Sequence, residues 1–288
     1  MKRRIVTTTS VFEAGYPAEA ASERLKRLGF EAQDIALDFW KDAPASPFMG
    51  EEYLTWAKAL RTRAERLGIP YTHSHAPDEA GAHPIIGRSL ETASALGAKY
   101  MVLHPVCGKG GRHFEDPEEF LKANERAIAP WLVKARDCGV VILSENLLWG
   151  PSRDPRIIAE LVRRVGSEWF GWCYDTGHAN CFGYRPQVLA ECAAAPLSLH
   201  IQDNHGSDQD EHLIPGDGTV DWDALARTLG KIGYTGDCVL EAHHQSLTAP
   251  DGERDIILSR LLQAARVLRD KMDACAQAAD GDGDGSQK

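Results

Sequence analysis

Short apolar, β-rich runs recur along this chain at intervals too long for hairpins. They fall at residues 4–8, 34–38, 71–75, 100–104, 140–145, 170–175, 197–200 and 238–241. Stretches such as 53–67 and 121–133 lie between them, with apolar residues at helical spacing. Strands separated by helices pair in parallel through right-handed crossovers, which already excludes sandwiches, bundles and up-and-down barrels. Helix stops agree with this: Gly29, Gly68, Gly97 and Gly233 each follow an apolar residue where a left-handed end would release the chain into the next strand. Eight units within 288 residues suit one closed barrel better than two open sheets. The expectation is a single (β/α)8 TIM barrel over residues 1–274. A doubly wound sheet would favour a glycine-rich phosphate loop after its first strand, yet Thr7, Thr8, Thr9, Ser10 and Val11 follow Ile5-Val6. Residues 275–288 are low in complexity, without an apolar anchor beyond Ala276, and are expected to be a disordered tail. Their Asp-Gly repeats lack the glutamate and flanking helices of a calcium loop.

Charge narrows the function. Lys and Arg number 32 against 42 Asp and Glu, a net −10, which repels polyanions and argues against a nucleic-acid partner. No apolar run reaches the roughly 18 residues of a membrane span, and no secretory apolar segment follows Met1-Lys2-Arg3-Arg4. The expected setting is the cytoplasm. The 7 cysteines are scattered without a Cys-x-x-Cys pair, consistent with reduced thiols rather than zinc or redox motifs.

From the third run onward, each run closes on a metal-binding type: His75, His104, Glu145, Asp175, His200 and Glu241. In a parallel barrel these positions face the mouth built by the loops that follow the strands, where barrel enzymes keep their chemistry. Several converging carboxylates and imidazoles are too costly to bury without cations, so a divalent metal is expected. Imidazole and carboxylate without thiolate suit zinc, manganese, iron or cobalt and are too rich in nitrogen for calcium or magnesium. His178 lies three residues beyond Asp175, close enough for one tight turn, with Gly177 permitting that turn. Asp210 and His212 alternate, so an extended segment would aim both the same way. Asp203, Asn204, His205 and Asp208 fit a polar surface loop equally well.

At these residues the chain resembles a known family, the xylose isomerase-like barrels. The resemblance rests on Asp175-Thr-Gly-His178 with its flanks Cys173 and Asn180, on His200-x-x-Asp203-Asn204, on Asp210-x-His212, on the segment 215–222, on Ser144-Glu145-Asn146 and on Leu240-Glu241-Ala242. Two well-known branches are sugar isomerases or epimerases and the endonuclease IV type of abasic-site nuclease. In the first, the resemblance implies one metal held by Glu145, Asp175, His200 and Glu241, with His178 on the substrate. In the second, it implies three: His75, His104 and Glu145 at one ion, Glu145, Asp175, His200 and Glu241 at another, and His178, Asp210 and His212 at a third. One to three zinc or manganese ions follow, and His75 fits the pattern better than His73 because Ala76-Pro77 comes next.

Isomerisation of a hydroxy-carbonyl sugar needs a Lewis acid on the oxygens to stabilise an enediolate and a base that moves a carbon-bound proton. Glu145 and Glu241 suit those roles. Trp149, Phe39 and Trp40 are aromatic candidates for a sugar face, and Lys109-Gly-Gly-Arg112 a weak candidate for a substrate phosphate. No arginine follows His200 where several ketose epimerases place one. Phosphodiester cleavage would need basic and intercalating loops, which the acidic segment 208–211 does not provide. A non-catalytic metal-stabilised barrel would predict failed acid/base positions, and both glutamates are intact. The favoured reading is a metal-dependent isomerase or epimerase of a small sugar, sugar phosphate or related polyol, with room for a homo-oligomer.

Overall fold

A computed structural model describes residues 3–79, 84–107 and 114–283. Its eight strands are β1 (Ile5–Thr8), β2 (Ala32–Ala36), β3 (Tyr71–Glu79), β4 (Tyr100–His104), β5 (Val141–Glu145), β6 (Phe170–Asp175), β7 (Ser198–His200) and β8 (Cys238–Leu240). All pair in parallel, each with its sequence neighbour from β1 to β7, and β8 pairs with β1. The ring closes where Ile201 pairs with Leu240: the Ile201 amide donates to Val239 O at 2.8 Å and the Glu241 amide to Ile201 O at 3.0 Å. The chain is a single (β/α)8 barrel. That closure also fixes the backbone of Glu241.

Helices α1 (Ala18–Leu28), α2 (Leu37–Lys41), α3 (Tyr53–Leu67), α4 (Pro84–Leu96), α5 (Pro117–Cys138), α6 (Pro155–Val165), α7 (Thr176–Cys181), α8 (Trp222–Lys231), α9 (His244–Thr248) and α10 (Asp251–Gly283) follow or separate the strands. Local chemistry sets their ends. Asp116 and Asp154 accept backbone amides at the starts of α5 and α6 just before a proline, while Gly29 and Gly68 end α1 and α3 at positive φ. The main core lies between sheet and helices and includes Leu25, Phe120, Ile158, Trp172, Leu229 and Leu258.

Two differences from the sequence reading have physical causes. The second strand spans Ala32–Ala36 rather than 34–38, because Leu37–Lys41 winds into α2. A short apolar run does not distinguish a buried strand from a buried helical turn. The final helix runs on to Gly283, so the chain is helical past Cys275, where a disordered tail is expected; residues 284–288 lie outside the described residues. The contact that seats this extension is backbone-close: a Cβ on Gly230 of α8 would lie 2.9 Å from the Cys275 carbonyl. Gly230→Ala should therefore destabilise the protein by about 1–3 kcal/mol in urea unfolding, despite alanine's better helix propensity. A neutral or stabilised variant would show that α10 does not rest on α8 there.

Candidate metal centre

The six residues meet at one rim of the barrel, although β3 runs on to Glu79 past a register shift, so His75 lies within its strand rather than at its end. His75 projects from β3, His104 closes β4, Glu145 closes β5, Asp175 closes β6, His200 closes β7 and Glu241 follows β8. Glu145, Asp175 and His200 are almost completely buried, at 1%, 0% and 1% exposure. With His178, Asp210 and His212 they form three groups whose potential ligand atoms lie within 4.8 Å of one another. The first is His75, His104 and Glu145; the second Glu145, Asp175, His200 and Glu241; the third His178, Asp210 and His212.

Glu145 spans two of these groups. Its Oε2 lies 3.4 Å from His104 Nε2 and 3.8 Å from His75 Nε2, while Oε1 lies 2.9 Å from His200 Nδ1. Glu241 Oε2 approaches the same His200 nitrogen at 3.1 Å. In the third group, His178 Nε2 and His212 Nε2 both point at Asp210 Oδ2, at 3.1 and 3.0 Å. Ligands at roughly 2.0–2.1 Å from a tetrahedral ion stand about 3.3 Å apart, so these separations fit a shared ion as well as the direct hydrogen bonds made here.

The surrounding hydrogen bonds choose the imidazole faces. His178 Nδ1 donates to Asn146 O at 2.8 Å, His212 Nδ1 to Glu241 O at 2.9 Å, and His75 Nδ1 to Ala76 O at 3.1 Å. Each ring thereby turns Nε2 toward the carboxylates, as a backbone carbonyl behind a ligating histidine does. Asn146 also clamps β5 to β6, its side chain donating to Asp175 O and accepting the Asp175 amide. Glu145 Oε2 and Asp175 Oδ2 are buried and have no hydrogen-bond partner. Such orphaned acceptors beside imidazole nitrogens fit a divalent cation.

Without a cation, protons take its place. Burial opposes protonation of His75, but the negative charges of Glu145, Asp38 and Glu241 around it raise it to about 9. His212 is likewise opposed by burial and raised to about 9 by Asp210. Burial pushes Asp175 up to about 7, even with His178 beside it. Glu145 is penalised by burial, yet His200 and His104 hold it well below the usual carboxylate range.

The alternation that aimed Asp210 and His212 together is replaced by a tighter device. Residues 209–212 are not a strand, and His212 has φ 45°, a left-handed conformation that costs a non-glycine residue about 1 kcal/mol or more. Gly177 does not serve a left-handed turn; it lies within α7, and its missing side chain admits the Gln202 amide. Asp203 is a buried clamp, accepting from the Gly216 and Val220 amides and from Trp222 Nε1. Asn204 is buried as well, whereas His205 is exposed and pairs with Glu211. Trp149 is half-buried against the main core, and Trp40 packs edge-on to Trp56 at 5.3 Å. His73 stays outside the three groups, against Tyr100. The basic segment 109–112 lies outside the described residues.

Four nearby residues escaped the sequence reading. Gln202 bridges Asp175 and Asp210, and His243 stacks on His212 with ring centroids 4.2 Å apart. Asp34 is buried and Asp38 half-buried; both Asp34 oxygens and Asp38 Oδ1 are shut from solvent without a hydrogen-bond partner, and burial raises Asp34 to about 6. Asp34 and His243 carry a usable signal, a polar residue alternating with or adjoining strand-end residues. Gln202 carries none, since an amide is not itself a ligand type.

Residues 22–270 match the family described as xylose isomerase-like TIM barrel. The chain belongs to this family. An uncharacterized protein of Mycobacterium tuberculosis is 28% identical over 91% of this chain and 95% of its own length. Among solved structures, a D-tagatose 3-epimerase-like protein superposes with a TM-score of 0.72 at 20% identity, covering 96% of this chain and 99% of that one. The IolI protein with a bound zinc atom gives 0.72 at 19% identity, over 94% and 98%. At these identities the two structures share the fold.

The imidazoles set a pH signature. In metal-free protein, protonated His75 and His212 contribute stability that is complete below the unfolded value of about 6.5 and is lost as pH rises through about 9. A bound cation must displace those protons, so its affinity rises over the same interval. Melting temperatures with chelator should fall from pH 6.5 to 9, while the added stability from zinc or manganese grows. Parallel profiles with and without metal would rule out this competition.

Proposed function

We propose that the protein is a divalent-metal-dependent isomerase or epimerase acting on a small hydroxy-carbonyl sugar, sugar phosphate or related polyol. The observation that carries this reading is the pair Glu145 and Glu241, which approach His200 Nδ1 from β5 and from beyond β8 at 2.9 and 3.1 Å. Bound there by Glu145, Asp175, His200 and Glu241, a zinc or manganese ion would polarise the hydroxyl and carbonyl oxygens of such a substrate. Glu145 and Glu241 reach the group from different elements, β5 and the segment after β8, and in the proposed reaction one accepts a carbon-bound proton and the other returns it. His178 is held by Asn146 O through Nδ1, and as the imidazolium that Asp175 and Asp210 favour it can donate from Nε2 toward a substrate oxygen when not engaged by Asp210. The D-tagatose 3-epimerase-like and zinc-bound IolI structures support this choice through their shared fold.

A second reading is metal-assisted phosphoester hydrolysis. It is favoured by the third group, His178, Asp210 and His212, which a single-ion epimerase does not require. The net charge of −10 weighs against a polyanionic nucleic-acid substrate.

Two assays separate them. Incubation with a panel of ketoses and their phosphates in D2O should incorporate deuterium at the carbon beside the carbonyl, and Glu241→Gln should lower that rate by about 10²–10⁴ while the fold persists. Unchanged turnover in Glu241→Gln would remove the proposed role. Incision of an abasic-site duplex at enzyme-like rates, abolished by His212→Ala, would replace the first reading with the second.

A further inference from the structure

One amide connects two of the three groups. Gln202 is completely buried two residues beyond His200, and Thr176 pins its backbone: the Gln202 amide donates to Thr176 Oγ1 at 3.0 Å and that hydroxyl donates to Gln202 O at 2.6 Å. From this anchor, Nε2 donates to Asp175 Oδ1 at 3.2 Å and to Asp210 Oδ1 at 2.9 Å. An ionised carboxylate only accepts, so the nitrogen end must face the two acids and both its hydrogens are used. Asp175 Oδ1 is further engaged by the His178 amide at 2.6 Å. What remains on each acid is Oδ2. On Asp175 it is buried without a partner; on Asp210 it faces His178 and His212.

We propose that Gln202 is a positioning residue that sets the rotation of Asp175 and Asp210 together, and so links divalent-ion binding at the second and third groups. The inference rests on the metal-dependent reading above and goes beyond it by assigning a group that is not a ligand. Its geometry explains Gly177. A Cβ at that position would stand 2.0 Å from Gln202 Oε1, so only glycine leaves the amide its place between the two acids. The first group, His75, His104 and Glu145, contains neither carboxylate and serves as an internal reference.

The test is anomalous diffraction from crystals of the full chain soaked in graded cobalt(II), with occupancy read at each position. Wild-type protein should bind cobalt through the Asp175 and Asp210 oxygens that Gln202 leaves free. Gln202→Met, similar in length but without a donor, should weaken the second and third positions about 10–100-fold and leave the first unchanged. Gly177→Ala should do the same with every ligand and Gln202 itself still present. Equal occupancy curves in wild type and variants, or a uniform weakening at all three positions, would overturn the positioning role. Should neither variant fold, wild-type crystals still decide, because coordination through the oxygens held by Gln202 contradicts the proposal. Absence of cobalt from all three positions in wild type would instead remove the metal-dependent reading.

Discussion

Burial of acidic groups at the rim of a barrel is the constraint on which the rest of this structure depends. Glu145 and Asp175 are removed from water, each with an oxygen that receives no hydrogen bond. An uncompensated buried carboxylate costs several kcal/mol. His200 and His104 hold Glu145 ionised against that cost, whereas burial lifts Asp175 to about 7 despite His178, and backbone carbonyls fix the His75, His178 and His212 rings around them. That arrangement satisfies protons in the absence of a cation and presents a ready set of lone pairs in its presence. The same feature that strains the fold thus prepares the chemistry.

The scaffold and the site are coupled through backbone. Closure of the barrel between Ile201 and Leu240 fixes Glu241, whose carbonyl then orients His212. Asn146 ties the end of β5 to β6 and, through its carbonyl, orients His178. Asp203 gathers the loop before α8 with four donors, the Asn204, Gly216 and Val220 amides and the Trp222 indole. Residues from distant stretches therefore meet because His104, Glu145, Asp175 and His200 close their strands, His75 projects from within β3 and Glu241 follows β8, while α7 adds His178 and the segment before α8 adds Asp210 and His212.

Much of this was legible in the sequence, and the failures have identifiable causes. Strand ends could be read because a charged or imidazole side chain after an apolar run has few places to go in a parallel barrel, so His104, Glu145, Asp175 and His200 were found at the positions where the strands stop. The second strand was misplaced because Ile35, Ala36 and Leu37 form a continuous apolar run across the junction with α2. Gly177 was assigned a turn when its purpose is close approach, which depends on a side chain 25 residues away in sequence and on no local pattern. Gln202, an amide with no ligand character, is recognisable only once the barrel places it beside the ligand-type residues.

Direct elemental analysis tests the central claim. Full-length protein purified after growth with ample zinc and manganese, freed of loosely held ions, should retain at least one divalent transition ion per chain by mass spectrometry. The Glu145→Ala variant, folded by circular dichroism, should retain markedly less, since that residue takes part in two of the groups. Wild-type protein devoid of such ions and unable to acquire them on dialysis would contradict the account.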